Sequence, residues 1–321
     1  MQTDRRTQRS YDDYTIVVVC ALEFEMSAMR YMLKHEHSPL PIPSEDPNLY
    51  IFGELSNHNV ILAFLPGNLG KGSAATVVAD TCRSFPSISW ILLVGIGGGV
   101  PSSKNDIRLG DVVVSMPDGE YGGVVQYDLG RKFEGGFKRT GFLSAPPARV
   151  RNAATLMRSS HRARPNKVDE IVTAMIEGRP SLSNYRRPSP ELDICFHPNY
   201  LHVSPRSLPS CGACDKTRVI RRAARESDGC MIHYGLIASG DQVIRSTALK
   251  AALVQDIGEI LCVEMEAAGI ATSIPCMVIR GIADYADSHK NDYWQHYAAA
   301  AAAGCAKELL GNLPVENLPD A

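Results

Sequence analysis

The tightest constraint in this chain is a set of apolar runs that do not alternate. Thr15-Ile-Val-Val-Val-Cys20, Trp90-Ile-Leu-Leu-Val94 and Asp111-Val-Val-Val-Ser115 have strand length, and the first and third are rich in β-branched residues. A strand with one wet face shows a polar residue at every second position, so a run without that alternation is buried on both faces. Such a sheet needs a covering layer on each side. Helical patterns at 23–33, about 73–83, about 248–256, from about 264 and about 294–310 supply the layers. Shorter strands are expected near 50–52 and 60–65, with further strands at 231–239 and 276–280, and a Pro-rich loop fills 38–48. Strands alternating with helices predict a three-layer α/β domain.

From about 116 to 230 the alternation fades into Gly, Pro, Arg and Ser. This stretch reads as part sheet extension and part long insertion, mobile around 178–229. The expected organisation is a flexible tail over 1–13, one domain over 14–312, and a tail or linker start over 313–321. A formal net charge of −2 on 321 residues offers no field for nucleic acid or an anionic membrane, so an anionic ligand must be recognised locally. No apolar run reaches the length of about 18 residues that a membrane helix needs. The polar N-terminus lacks the apolar core of a secretion signal. Nine cysteines, an odd number, mostly sit in apolar runs such as those of Cys20, Cys262 and Cys276. That pattern fits reduced thiols in a cytoplasmic protein.

Four constellations carry chemistry. Gly95-Ile-Gly-Gly-Gly99 follows a strand, and residues without side chains let a backbone turn sharply and approach a ligand. It matches neither the dinucleotide fingerprint nor the P-loop, and in isolation is equally a turn. Glu264 and Glu266 stand two apart at an expected helix start, as acids of a first turn or as acceptors for a ribose cis-diol. Asp284 and Asp287 follow the strand at 276–280, where acids of open α/β sheets line ligand crevices, although a lone Asp there is equally a helix N-cap. Glu23 and Glu25 follow the first strand in the same way. Cys211-x-x-Cys214, with His197, His202 or Cys195 as conceivable partners, lacks a properly spaced second pair, and neither a metal nor a cofactor is expected.

These motifs, in this order, resemble the nucleoside phosphorylase and nucleosidase superfamily. The strings Val94-Gly-Ile-Gly-Gly-Gly-Val-Pro, Gly122-Gly-Val-Val-Gln-Tyr-Asp, His233-Tyr-Gly-Leu-Ile-Ala-Ser-Gly and Arg280-Gly-Ile-Ala-Asp-Tyr-Ala-Asp-Ser-His-Lys resemble its fungal version. That version often forms the N-terminal part of NACHT or ankyrin-repeat immune-type receptors. The resemblance implies a central mixed twisted sheet flanked by helices, with a long insertion, assembling as a homo-oligomer. It implies Asp284 as the acid that protonates purine N7, Glu25 as the activator of water and Arg280 as the water-site arginine. Glu266 would bind the ribose hydroxyls, with Met265 on the sugar and Glu264 beside it. Ile96, Gly97, Gly98, Ser239, Asp241, Val243 and Ile244 would surround the substrate.

Hydrolysis and phosphorolysis differ in the nucleophile. A phosphate dianion needs several donors, usually arginines. The loop Cys20-Ala-Leu-Glu-Phe-Glu25 carries carboxylates instead, which favours water. Two positions depart from the methylthioadenosine branch: Ile96 replaces the water-site serine, and Val243 replaces the aromatic that stacks on adenine. The expected partner is a small-molecule purine nucleoside or nucleotide. If some of Arg131, Lys132, Lys138, Arg139, Arg218, Arg221, Arg222 and Arg225 grip phosphates, the substrate is an adenine nucleotide such as ATP; a solvated basic face is the plainer reading. The rival expectations are a phosphate-dependent phosphorylase and a catalytically silent ligand-sensing module.

Overall fold

The computed structural model describes residues 9–134, 136–203, 211–225 and 228–315. Most of the expected N-terminal tail, the end of the C-terminal one, and 204–210 and 226–227 of the insertion lie outside these residues. The strands are β1 (Ile16–Cys20), β2 (His35–Glu36), β3 (Tyr50–Leu55), β4 (His58–Phe64), β5 (Trp90–Gly99), β6 (Val112–Ser115), β7 (Val124–Gln126), β8 (Gly130–Phe133), β9 (Gly136–Arg139), β10 (Ile232–Ser239), β11 (Ile260–Glu264) and β12 (Cys276–Asp284). The helices are α1 (Glu23–Tyr31), α2 (Lys71–Ser84), α3 (Ala148–Ser160), α4 (Val168–Ile176), α5 (Thr247–Ile257), α6 (Ala267–Ala271) and α7 (Gln295–Leu310).

The architecture is the expected mixed sheet between helices. The sheet runs β11-β10-β6-β12-β5-β1-β4-β3-β2, and β11 also pairs antiparallel with β5. Five strands therefore close into a ring, β5-β12-β6-β10-β11. The non-alternating runs are buried as expected: every residue of β1, β6 and β12 is buried.

Three expectations need correction. Gly95–Gly99 does not turn away from the strand but is its second half, so β5 is ten residues long. There the missing side chains serve close approach. A Cβ on Gly97 would lie 2.5 Å from Cys262 Sγ, and one on Gly98 2.9 Å from Asp284 Oδ1. Bare backbone lets β5 bend across to pair Gly98 with Val263 and Gly99 with Cys262, closing the ring. Second, Glu264 ends a strand rather than starting a helix, and α6 begins only at Ala267. Third, 116–230 contains the two helices α3 and α4, whose buried residues recur at helical spacing: Val150, Ala153, Ala154 and Met157 in the first, Val168, Val172, Met175 and Ile176 in the second.

α7 covers the sheet with an unbroken run of alanines. Ala298 to Ala303 are all buried, and the small side chains bring the helix close enough that a Cβ on Gly281 would sit 1.8 Å from the Ala298 carbonyl oxygen. The described part of the insertion is anchored to this body by ion pairs. Arg225 donates to both oxygens of fully buried Asp111, at 2.8 and 2.7 Å, and Arg222 Nη1 lies 3.7 Å from Asp106 Oδ1. The His233 and Arg225 side chains hold the Asp111 carboxyl below its usual range against the opposing effect of burial. Among the described residues no helix is long and apolar enough to cross a membrane.

Candidate active site

The ends of β1, β5, β11 and β12 converge on one cavity of about 220 Å³. Larger concavities of about 720 and 840 Å³ open elsewhere, lined by α4 with the 178–187 turn and by the groove near Tyr234, but neither gathers several carboxylates. The small cavity does. Glu25, Glu264, Glu266 and Asp284 line it with only Arg280 and Lys290 as counter-charges. Its formal surplus is two negative charges.

Each acid is placed by its own backbone neighbourhood. Glu25 lies in the first turn of α1, where N–H groups lack helical partners. Its Oε2 accepts from Ala21 N and Leu22 N, both at 2.9 Å, and its Oε1 accepts from Ile96 N across the cavity at 2.7 Å. The helix-initiating position of this residue and its place at the cavity thus coincide. Burial pushes the Glu25 carboxyl up, while Arg280 and the three N–H donors pull it back; the net direction is upward. Three of roughly four lone-pair sites are occupied, leaving one for a further donor.

Glu264 accepts from Glu266 N (3.0 Å) and Ala267 N (3.0 Å), and so ties the turn into α6. Glu266 itself faces the cavity, with Gly70 N at 3.4 Å from Oε1. Arg280, almost fully buried, donates through Nη2 to Glu264 and, at 3.0 Å, to Glu266, and through Nη1 to the Ile96 carbonyl at 3.3 Å. Burial, with Glu264 and Glu25 nearby, pushes the Glu266 carboxyl up to about 7 despite Arg280. Arg280 is therefore engaged with its own carboxylates, and its position suits it to holding them rather than gripping an anion.

Asp284 closes β12. Its Oδ1 accepts from Ala286 N at 2.8 Å and its Oδ2 from Lys290 Nζ at 2.5 Å. No helix follows until Gln295, so the N-cap alternative does not apply. Lys290 was not singled out in the sequence: a lysine six residues beyond an acid, in a loop, leaves no periodic signal. Gln242, Gln295 and Leu69 also line the cavity unanticipated.

Of the remaining expected residues, Ile96, Gly97, Gly98, Val243, Ile244 and Met265 line the cavity. Ser239 and Asp241 do not. Ser239 is buried, with its Oγ accepting from Ala268 N at 2.9 Å, while Asp241 accepts from Lys71 N at 3.0 Å and pairs with Lys71 Nζ at 3.3 Å. Among the described residues, none of the basic side chains between 131 and 225 lines the cavity. Arg139, Arg222 and Arg225 are paired with Asp256, Asp193 and Asp111 instead.

The model of the family described as the phosphorylase superfamily matches residues 15–311. A nucleotide-binding leucine-rich repeat (NLR)-like protein of Hyaloscypha variabilis is 41% identical over 95% of this chain, which spans 30% of that relative's length. The 5'-methylthioadenosine/S-adenosylhomocysteine nucleosidase of Mycobacterium bovis is 24% identical over 94% of this chain and 97% of its own. A shorter match, 36% identical over 26% of this chain and 17% of the relative, is to the ATP nucleosidase Cap17 of Escherichia coli. Among solved structures, the 5'-methylthioadenosine/S-adenosylhomocysteine nucleosidase of Neisseria meningitidis, in complex with methylthio-immucillin-A, aligns with TM-score 0.59 and 20% identity over 94% of this chain and all of that one. The family model covers nearly the whole of the chain: the chain belongs to the phosphorylase superfamily.

Proposed function

We propose that the chain is a purine nucleosidase, hydrolysing the N-glycosidic bond of adenine nucleosides or nucleotides, ATP among them, to free the base. The observation that carries this reading is a cavity lined by four carboxyl groups and two cations, of which Arg280 is already engaged by Glu264 and Glu266; with Asp284 protonated as the acid, three carboxylates still outnumber Arg280 and Lys290. Such a site repels a phosphate dianion and accepts water and a developing ribosyl cation.

Glu266 accepts the two ribose hydroxyls, and Met265 packs on the sugar. Val243, Ile244, Gly97 and Gly98 flank the base. As the bond from C1′ to the base nitrogen lengthens, Asp284, having taken a proton from solvent, passes it to purine N7, and the ammonium of Lys290, 2.5 Å from Oδ2, holds the carboxylate that remains until solvent reprotonates it. Water adds to C1′ and gives its proton to Glu25, whose raised affinity for protons suits it to the task. Glu25 then returns that proton to solvent. Adenine and the ribose product leave, with one water consumed. The nucleosidase names of the Mycobacterium and Escherichia relatives support this class.

The test is release of free adenine from ATP, adenosine, inosine and methylthioadenosine in phosphate-free buffer. Turnover without phosphate is expected, and Asp284→Asn should lower it by at least about 100-fold in a folded protein. Turnover that requires phosphate would make the chain a phosphorylase. No turnover on any of these substrates would favour a silent ligand-sensing module.

A further inference from the structure

We propose that His202, Cys211 and Cys214 hold a structural zinc ion that staples the insertion to the segment carrying Lys290. One ring nitrogen of His202 and the two sulfurs lie within 4.8 Å of one another. In a tetrahedral zinc site, metal–sulfur bonds of about 2.3 Å and metal–nitrogen bonds of about 2.0 Å put ligand atoms roughly 3.3–3.8 Å apart. A contraction of at most about 1.0–1.5 Å converts the trio into three corners of that tetrahedron.

The donors have little else to do. The Cys211 thiol faces the His289 carbonyl at 3.9 Å and the Cys214 thiol the Val203 carbonyl at 3.8 Å, both long contacts. His202 Nε2 is buried with no hydrogen-bond partner among the described residues. Two thiols and an imidazole gathered at one point, with weak or missing partners, cost desolvation that a metal would repay. Two thiolates with imidazole form the donor set that selects zinc. On binding, both thiols release their protons to solvent, and the ion and the two thiolates neutralise each other.

The fourth ligand on offer is His289. It stands outside the tight trio, its ring centroid 5.4 Å from that of His202, and its Nε2 is also buried without a partner among the described residues. Its Nδ1 lies 3.7 Å from Asp287 Oδ1, the side from which a carboxylate orients a zinc-binding histidine. Phe196 stacks on the ring with centroids 4.1 Å apart, which restrains its plane. His202 N donates to Ser288 Oγ at 3.0 Å. The trio thus grips the chain at 288–289, one residue before the lysine that pairs with Asp284. Its members do not line the carboxylate cavity, so the ion is a staple and takes no part in the bond-breaking steps.

The experiment is metal analysis of the purified full chain kept under reducing conditions, with the zinc-stripped protein titrated by cobalt(II). About one zinc per chain and a sulfur-to-cobalt charge-transfer band are expected. Cys211→Ser, Cys214→Ser and His202→Ala should each weaken retention at least about tenfold, and His289→Gln likewise if it closes the site. The cobalt titration of the unaltered chain keeps the test decisive should a variant fail to fold. Reduced protein that holds neither zinc nor a cobalt–thiolate chromophore would overturn the proposal. So would full zinc retention by both serine variants, or a Cys211–Cys214 disulfide in the isolated protein detected by intact mass. Zinc retention at wild-type strength in His289→Gln would remove His289 from the ligand set.

Discussion

Replacing Arg280 with Met isolates the electrostatics of the site. Arg280 is 1% exposed and sits among Glu25, Glu264 and Glu266. Met keeps much of its length and removes its charge. Removing one partner of a buried ion pair costs about 3–5 kcal/mol, because the other partner is left buried and unpaired. The loss must depend on pH. Glu25 and Glu266 already bind protons more tightly in the folded chain than in the unfolded one. For such groups the folded state holds the extra proton, so stability falls as pH rises through the window between the unfolded and folded values. For Glu266 that window runs from 4.5 to about 7. Without Arg280 the upward push grows, so Arg280→Met should lose little at pH of about 5, where the carboxyls take protons, and the full 3–5 kcal/mol at pH of about 8. At roughly 2 °C per kcal/mol for a chain of this size, melting should drop by about 6–10 °C at the higher pH. Thermal unfolding of both proteins at the two pH values reads this out. An equal loss at both, or none at either, would refute the account of Arg280 as the cation that lets three buried acids coexist.

Two further outcomes follow from the same geometry. Base release should decline as pH falls through about 7, because a protonated Glu266 can no longer accept from both ribose hydroxyls; Glu266→Gln should flatten that limb of the kcat/KM profile while lowering it, and a limb that persists unchanged would assign it to another group. Gly281→Ala should destabilise by at least about 3 kcal/mol, seen as loss of folded protein in a denaturant titration, because its Cβ would meet the backbone of α7 rather than a side chain that can swing away; normal stability would refute the packing of α7 on β12.

The legible parts of the fold were those where one residue type dominates. Ile16–Cys20 and Val112–Ser115 read as buried strands because no polar residue interrupts them. Ile260–Glu264 went unread, lying between two helical patterns and ending in acids that look like a first helical turn. Glu25, Glu266 and Asp284 were recognised from their strings of neighbours, and eleven of the thirteen expected site residues line one cavity. Lys290 escaped because a loop brings it to Asp284, and for the same reason the sequence named Cys211 and Cys214 but could not choose His202 from among His197, His202 and Cys195: in loops, spacing along the chain says little about distance in space.

The ring of five strands also decides when the acid-lined cavity first exists during synthesis. Its floor is made where β5, near residue 98, meets β11, near residue 263, and β12. The cover, α7, ends only at Leu310. Strands so far apart in the chain pair slowly. A nascent chain that has passed β10 therefore holds Glu25 but no site. The cavity is therefore assembled in one late step, after nearly the whole domain has left the ribosome, and no shorter fragment presents its four acids together.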